Sequence, residues 1–269
     1  ISAGGGHVCA ILDNGNLKCW GVNQQSQSGQ DPTINGGVIY SPQLVDLGVG
    51  RTASSVSLGG SHSCAILDDG SVKCWGDNSD GQLGIGPASA QHNPQTVDLG
   101  VGRTAVSLSL GADHTCVVLD NGVLKCWGDN QYGQLGDGIS YIDADTPQTI
   151  NLEIGNLATS VASGDMQTCA ILTDESLMCW GDNQFGQLGI GSTNDEYYPT
   201  FVNGFEKFIP LGRVYGTPTQ TTPTQTYTFY GNNSVGSDTF DMDITVVPAY
   251  DYGNNTLVLT RNETMTARS

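Results

Sequence analysis

Residues 6–21 read Gly6-His-Val-Cys-Ala-Ile-Leu-Asp-Asn-Gly-Asn-Leu-Lys-Cys-Trp-Gly21. The same phrase returns as Ser61-His-Ser-Cys-Ala-Ile-Leu-Asp-Asp-Gly-Ser-Val-Lys-Cys-Trp-Gly76 and as Asp113-His-Thr-Cys-Val-Val-Leu-Asp-Asn-Gly-Val-Leu-Lys-Cys-Trp-Gly128. A fourth copy reads Met166-Gln-Thr-Cys-Ala-Ile-Leu-Thr-Asp-Glu-Ser-Leu-Met-Cys-Trp-Gly181. The first cysteines stand at 9, 64, 116 and 169, a spacing of 55, 52 and 53 residues. A period of that size belongs to a propeller blade or a solenoid unit. Such a unit cannot bury both of its faces alone and must stack on its neighbours.

Inside each copy, alternating apolar residues flank a turn. Asp13-Asn14-Gly15 between Ile11 and Leu17 is a hairpin signal, with Gly15 free to take the positive φ of a three-residue loop. Asp68-Asp69-Gly70 and Asp120-Asn121-Gly122 repeat it. Thr173-Asp174-Glu175 lacks the glycine, so that turn is expected to be strained or longer. Trp-Gly-Asp-Asn leading to Gly-Gln-Leu-Gly follows at Trp75–Gly84, Trp127–Gly136 and Trp180–Gly189, as the exit into a turn-rich connection. Copy one departs here, with Trp20-Gly-Val-Asn-Gln-Gln-Ser-Gln-Ser-Gly29. A further short strand is expected near Pro42–Leu47, Pro94–Leu99 and Pro147–Leu152.

All eight cysteines lie in the copies, as the pairs 9/19, 64/74, 116/126 and 169/179. A three-residue loop centred on Asn14 sets Cys9 across from Cys19 and Ile11 across from Leu17. Directly opposed residues in a non-hydrogen-bonded antiparallel pair lie about 4.5 Å apart at Cα, within disulfide range. The expected pairing is Cys9–Cys19, Cys64–Cys74, Cys116–Cys126 and Cys169–Cys179. The alternatives are a reduced buried set and zinc, but zinc sites favour closer pairs such as Cys-x-x-Cys, which do not occur here. Disulfides imply an oxidising compartment, so the chain is expected to be extracellular or cell-surface. No signal peptide is visible, since Ile1-Ser2 already begins the first strand; a leader would have been removed or lie outside this sequence.

The pattern of Gly, His, Leu, a Gly turn and Trp-Gly-x-Asn-x-x-Gly-Gln-Leu-Gly resembles the repeat of the regulator of chromosome condensation family. The likeness covers about residues 1–203. It implies an all-β propeller of four-stranded blades, usually seven of them. Four blades shaped for a seven-fold ring would leave an open arc, to be covered by the C-terminal region, filled by a second chain, or continued in a longer protein.

The expected organisation is four repeats over residues 1–210 (about 1–50, 51–103, 104–157 and 158–210), a linker over 211–226 and a β-rich tail over 227–269. The linker is Thr/Pro-rich and extended, with Thr217, Thr219, Thr221, Thr222, Thr224 and Thr226 as candidate O-glycosylation positions. The tail carries the Asn-x-Ser/Thr sequons at Asn232, Asn254 and Asn262, candidates for N-glycans. Its strands are expected at Thr226–Tyr230, Thr239–Val247 and Thr256–Thr260, and Asp238–Val247 and Thr256–Thr260 have the character of unpaired strands that a neighbouring subunit could accept.

Other chemistry is thin. His7, His62 and His114 share one repeat position, but the fourth copy has Gln167 there, which breaks any ring of metal ligands. The family resemblance implies a structural, hydrogen-bonding histidine between strands. His92 stands alone. Asp77, Asp129 and Asp182, each before Asn, lack the run of oxygen ligands a calcium loop needs and fit Asx turns. Trp20, Trp75, Trp127 and Trp180 fit packing between blades better than a carbohydrate site. Ser61 and Ser63 beside His62 are repeat residues, not a triad, and no carboxylate pair or nucleophile elbow stands out. No enzyme activity, metal or cofactor is expected.

The 269 residues carry 9 Lys and Arg against 27 Asp and Glu, a net charge of -18. That balance opposes nucleic-acid binding and docking on an anionic membrane surface. No stretch approaches the length of an apolar membrane span. The expected role is a non-enzymatic extracellular structural or adhesive protein, self-associating into a homo-oligomer or filament through its β-rich tail. The alternative is a secreted protein-binding propeller that engages another extracellular protein. Nucleotide exchange on a small GTPase, the role implied by the founding family members, is opposed by the acidity and the disulfides.

Overall fold

The computed structural model describes residues 1–139, 141–152 and 156–205, together with the backbone of 225–233 and 236–244. The chain divides into two units, Ile1–Lys207 and Phe208–Ser269.

The first unit holds four antiparallel sheets of four strands, each a simple meander in chain order. Blade 1 is β1 (Ser2–Ala3), β2 (His7–Ile11), β3 (Leu17–Val22) and β4 (Val38–Leu44). Blade 2 is β5 (Ala53–Leu58), β6 (His62–Leu67), β7 (Val72–Gly76) and β8 (Gln91–Thr96). Blade 3 is β9 (Ala105–Leu110), β10 (His114–Leu119), β11 (Leu124–Gly128) and β12 (Ala144–Thr149). Blade 4 is β13 (Ala158–Ser163), β14 (Gln167–Leu172), β15 (Leu177–Gly181) and β16 (Glu196–Phe201). This is the all-β propeller-type repeat array that the period predicts.

The central hairpin follows from its turn. Gly15 adopts φ 79° and its N–H returns to the Leu12 carbonyl at 2.9 Å, which sets Ile11 opposite Leu17 and Cys9 opposite Cys19. The turn at Thr173–Glu175 is strained rather than longer. Glu175 takes φ 73°, and its N–H reaches the Leu172 carbonyl at 3.0 Å, the same closure made by Gly15. A side chain in the left-handed region costs about 1–2 kcal/mol, which the register of the surrounding strands imposes.

Two expectations are corrected. The last strand of each blade starts and ends earlier than the Pro-Gln positions suggest, at Val38–Leu44, Gln91–Thr96 and Ala144–Thr149. Pairing stops because Asp46 and Asp98 turn the chain, accepting the N–H of Gly48 and Gly100 at 2.9 Å. Copy one is also less degenerate than it reads. Ser26-Gln27-Ser28-Gly29 occupies the place of Gly81-Gln82-Leu83-Gly84, with Ser26 at φ 67° and Gly29 at φ 74° where Gly81 and Gly84 have 81° and 68°.

The core lies between blades. One cluster joins Cys9, Leu17 and Cys19 of blade 1 to Ala65, Leu67 and Trp75 of blade 2. Equivalent clusters join blades 2 and 3 and blades 3 and 4. Within a middle strand alternate residues serve opposite neighbours: Ala65 packs toward blade 1 and Ile66 toward blade 3. This period-2 division is why β6 and β10 are buried along their whole length.

In the second unit, β17 (Gln225–Asn233) pairs antiparallel with β18 (Gly236–Ile244), with Phe229 opposite Phe240. Residues 239–244 of the strand expected at Thr239–Val247 are therefore paired, contrary to their reading as unpaired, because the Thr226–Tyr230 stretch lies in the strand opposite; residues 245–247 fall outside the described residues. Thr226 and Asn232 lie in β17. Thr217, Thr219, Thr221, Thr222, Thr224, Asn254, Asn262 and the strand at Thr256–Thr260 fall outside the described residues.

Candidate functional site: interblade seams and the acidic loop face

Each seam between blades is closed by the same polar node. Trp75 is fully buried, and its Nε1–H donates to the Gln27 carbonyl of the preceding blade at 3.1 Å. Ser63 Oγ donates to that same carbonyl at 2.7 Å and accepts from His7 Nε2 at 2.8 Å. At the next seam Trp127 Nε1 and Thr115 Oγ1 both reach the Gln82 carbonyl at 2.9 Å, and His62 Nε2 meets Thr115 at 2.8 Å. At the third, Trp180 Nε1 lies 3.0 Å and Thr168 Oγ1 2.9 Å from the Gln134 carbonyl, with His114 Nε2 2.9 Å from Thr168. The histidines thus bond between blades, not merely between strands of one sheet.

The hydroxyl has one proton and gives it to the carbonyl, so the imidazole donates from Nε2. Nδ1 of His7, His62 and His114 is then unprotonated, buried and without a hydrogen-bond partner among the described residues. Burial lowers the His7 and His114 imidazoles to about 4 and, with the neighbouring histidines adding repulsion, His62 to about 3. All three are neutral at physiological pH. His92 lies on the exposed part of β8 and joins no node.

Gly76 explains the Trp-Gly pair. Its φ is +107°, and a Cβ there would sit 2.6 Å from the Ser61 carbonyl oxygen and 3.2 Å from Gln27 Cα in the preceding blade.

The disulfides Cys9–Cys19, Cys64–Cys74, Cys116–Cys126 and Cys169–Cys179 each bridge β-strands of one hairpin, with Cα atoms 4.1 Å apart. Each of the first three is buried beneath the alanine or valine and tryptophan of the next blade.

The loops leaving the third strands are organised by an asparagine the sequence reading passed over. Asn78 Oδ1 accepts the Leu83 N–H at 2.9 Å, while its Nδ2 donates to the Gly86 and Ala88 carbonyls at 3.3 and 2.8 Å. Asn23, Asn130 and Asn183 make the corresponding bonds in their own loops. Its signal was available: Asn occurs in all four copies, whereas the aspartate before it is Val22 in the first. Asp77, Asp129 and Asp182 accept N–H bonds from Ser79, Gln131 and Gln184, two residues on, as Asx turns.

These loops gather negative charge. The Asp113 carboxyl is pushed up to about 6 by burial and by repulsion from Asp80, Asp77 and Asp129. Burial also raises Asp143, with Asp129 and Asp145 adding repulsion. Phe185, at the loop position of Asp80, is 88% exposed. A shallow depression of about 260 Å³ at the turn end of blade 3 is lined by Gly122, Leu124, Ile150 and Leu157 among others, and none of the described residues that line it titrates. Among the described residues no three His, Cys, Asp or Glu converge as a metal site, and no helix is long and apolar enough to cross a membrane.

The family model described as the regulator of chromosome condensation (RCC1) repeat matches residues 69–118, 121–171 and 174–216, more than half of the sequence. The chain belongs to this repeat family. A second model of the same repeat matches 1–30, 53–82, 105–134 and 158–187, one match per blade. The chain is similar to the ultraviolet-B receptor UVR8 of Arabidopsis thaliana, with 31% identity over 202 residues, 75% of this chain and 45% of that protein. It is also similar to the human E3 ubiquitin-protein ligase HERC2, with 30% identity over 209 residues, 77% of this chain and 4% of that protein. It therefore spans less than half the length of either relative. Among solved structures, human WBSCR16 aligns with a TM-score of 0.65 at 23% identity, over 74% of this chain and 51% of that one. Yeast RCC1 (Prp20), solved bound to Kap60, aligns at 0.64 and 19% identity, over 97% and 63%. Both likenesses concern the fold. As an RCC1-type repeat domain, the blade array is suited to protein binding.

Proposed function

We propose that this chain is a non-enzymatic, extracellular or cell-surface RCC1-repeat protein with a structural or adhesive role, acting by binding proteins and associating with its own kind. The observation that carries the reading is one disulfide within the central hairpin of each blade: every cysteine among the described residues is paired, with no free thiol left to them. A pattern of this kind suits an oxidising compartment and makes a register-locked, protease-resistant body. The exposed loops offer a rigid acidic face for partners, and the β17–β18 hairpin offers outer edges for strand addition. Ligase chemistry does not come with the resemblance, since HERC2 is matched over only 4% of its length. Prp20p is described for its binding to Gsp1p and histones; a net charge of -18 disfavours anionic partners for this chain and leaves basic proteins open to it.

The test uses intact source cells. An antibody to the blade array should label unpermeabilised cells or capture the chain from the medium, in species larger than one chain. Labelling only after permeabilisation, with all cysteines alkylated as free thiols, would overturn the proposal.

A further inference from the structure

The exit loops of blades 2, 3 and 4 are closed in the same way. In each, the buried asparagine of the Trp-Gly-Asp-Asn exit donates from Nδ2 to two main-chain carbonyls of its loop: Asn78 to Gly86 and Ala88, Asn130 to Ile139 and Ile142, Asn183 to Ser192 and Asn194. This closure needs carbonyl groups and no particular side chains. Blades 2 and 4 accordingly fill the loop with small or polar residues, Pro87-Ala-Ser-Ala90 and Ser192-Thr-Asn194. Blade 3 carries Ile139, Tyr141 and Ile142 instead, which are 48%, 73% and 63% exposed. Side chains left this open add little to the core, so the loop's own stability does not account for them.

Tyr141 is held at a cost. Its φ is 62°, in the left-handed region where glycine or asparagine sits more easily, and its N–H donates to the Asn130 carbonyl at 2.9 Å. Blade 4 extends the patch. The Gly138 N–H donates to the Tyr197 carbonyl of β16 at 2.9 Å, and the ring of Tyr198 lies against Gly138, where a Cβ would collide with it. Tyr198 is itself 63% exposed. Two aliphatic and two aromatic side chains thus share one surface across blades 3 and 4.

Charge decides what such a surface accepts. Asp137, Asp143 and Asp145 flank the loop residues, and none of the three makes an ion pair among the described residues. Asp137 Oδ1 and Asp143 Oδ1 accept the Ile139 and Asn130 N–H groups at 2.9 and 3.0 Å, which fixes both carboxylates beside the patch. The described Lys and Arg residues lie at the other end of the blades. Arg51 and Arg103 pair with Asp68, Asp69 and Asp120 at the hairpin turns, and Lys18, Lys73 and Lys125 are the second residues of the strands leaving those turns. Burial, together with repulsion from Asp129 and Asp145, raises the Asp143 carboxyl, and a cation brought alongside would relieve that repulsion.

We infer that Ile139, Tyr141, Ile142 and Tyr198 form the docking patch for a cationic protein segment in which Lys or Arg adjoins aromatic or aliphatic residues. Apolar side chains of the segment cover the isoleucines, its cations meet Asp137, Asp143 and Asp145, and the tyrosine rings serve both, as apolar surface and as faces for a cation. Carboxylates alone would take any cation, and an apolar patch alone any apolar surface; the two together select a segment that has both. A nucleic acid or an anionic membrane would meet like charge here. So would the same end of a second copy, and the Arg side chains of its opposite end are already paired. The inference rests on the reading of the loop face as a protein-binding surface and adds the place on that face and the chemistry of the partner. It uses neither self-association nor the compartment.

The experiment measures binding of fluorescent peptides to the full chain by anisotropy, at low and high salt. The probes are three peptides of equal length, with Lys alternating with Phe, Lys with Ser, and Glu with Phe. One double variant, Tyr141→Asn with Ile142→Ser, strips the apolar patch and leaves the carbonyl that Asn130 uses. The other, Asp143→Asn with Asp145→Asn, removes charge and keeps an oxygen for the Asn130 N–H. Circular dichroism and thiol titration verify folding of both. The Lys–Phe peptide should bind about tenfold or more tighter than either of the others, and each double variant, like added salt, should weaken it by about tenfold. Equal binding of the two lysine peptides, unmoved by Tyr141→Asn with Ile142→Ser, would reduce the surface to a general attraction for cations. That overturns the inference and leaves the loop face standing as a protein-binding surface. Absent binding of the Lys–Phe peptide, or binding indifferent to the two aspartates, overturns it as well. Nitration of the free chain reports what covers the patch, and Tyr141 and Tyr198 should react readily. Protection in the monomer would assign the patch to this chain's own C-terminal segment, and protection that grows with concentration to a second copy; either result overturns the inference.

Discussion

Acid should loosen the blade array through three side chains. His7, His62 and His114 are held neutral inside the seams, with pKa values lowered to about 4, 3 and 4 from 6.5. Unfolded, each would take up a proton near pH 6.5, so below that pH the unfolded chain binds more protons and stability falls. The contribution is full above pH 6.5 and is lost progressively down to the folded values. At pH 5 each histidine contributes a loss of about 2 kcal/mol, or about 6 kcal/mol for the three. Asp113 works in the opposite direction. Its raised carboxyl favours the folded state as pH falls through about 6, but it is partly solvent-screened and offsets about 1 kcal/mol at most. The net loss of about 5 kcal/mol between pH 8 and pH 5 is comparable to the whole stability of many domains. With a urea slope of about 2.5 kcal/mol per molar, the unfolding midpoint should fall by about 2 M. The control is the triple substitution His7→Gln, His62→Gln and His114→Gln, since Gln167 already occupies the equivalent position in blade 4. The triple variant should lose most of this pH dependence and each single variant about a third of it. Parallel decline of wild type and triple variant over pH 8 to 5 would refute the burial of neutral imidazoles.

Four further outcomes follow from named contacts. Glu175→Gly should raise stability by about 0.5–1 kcal/mol in thermal or urea unfolding, because the turn holds φ 73°. Thr115→Val leaves the buried His62 Nε2–H without an acceptor and should cost about 1–3 kcal/mol; His62→Gln in the same background should recover little if the node is not as described. Replacing Cys116 and Cys126 together by alanine should lower stability by about 2–3 kcal/mol with the register of the other hairpins intact, as seen by urea unfolding and mapping of the remaining bridges. Asp113→Asn should stabilise the fold by up to about 1 kcal/mol at pH 8 and by little at pH 4, since it removes repulsion with Asp77, Asp80 and Asp129 only where the carboxyl is charged.

Much of the fold is written in short-range pattern. The period, the Asp-Asn-Gly turn and the alternation around it specify a hairpin, and the hairpin sets Cys9 across from Cys19. Strand ends were harder to read, because Pro42 and Pro94 look like boundaries and instead lie inside outer strands, where a missing N–H is tolerated. The seams were least legible. The His7–Ser63 bond spans 56 residues and the Trp75–Gln27 bond spans 48, so neither appears within one copy of the repeat. Their trace is a comparison across copies: the hydroxyl residues Ser63, Thr115 and Thr168 each stand where the described preceding blade supplies a Gln carbonyl, whereas the first copy has Val8 at that position. The loop asparagines escaped for a different reason. Asn is common in turns, and only its full burial distinguishes Asn130 from a solvent-facing turn residue.

The most direct test is a disulfide map of native protein, alkylated before any reductant is added, digested and read by mass spectrometry. The account requires no alkylated cysteine and four linked species, 9 with 19, 64 with 74, 116 with 126 and 169 with 179. Alkylated thiols in quantity, or a bridge from one blade to another, would contradict both the hairpin register and the compartment inferred from it.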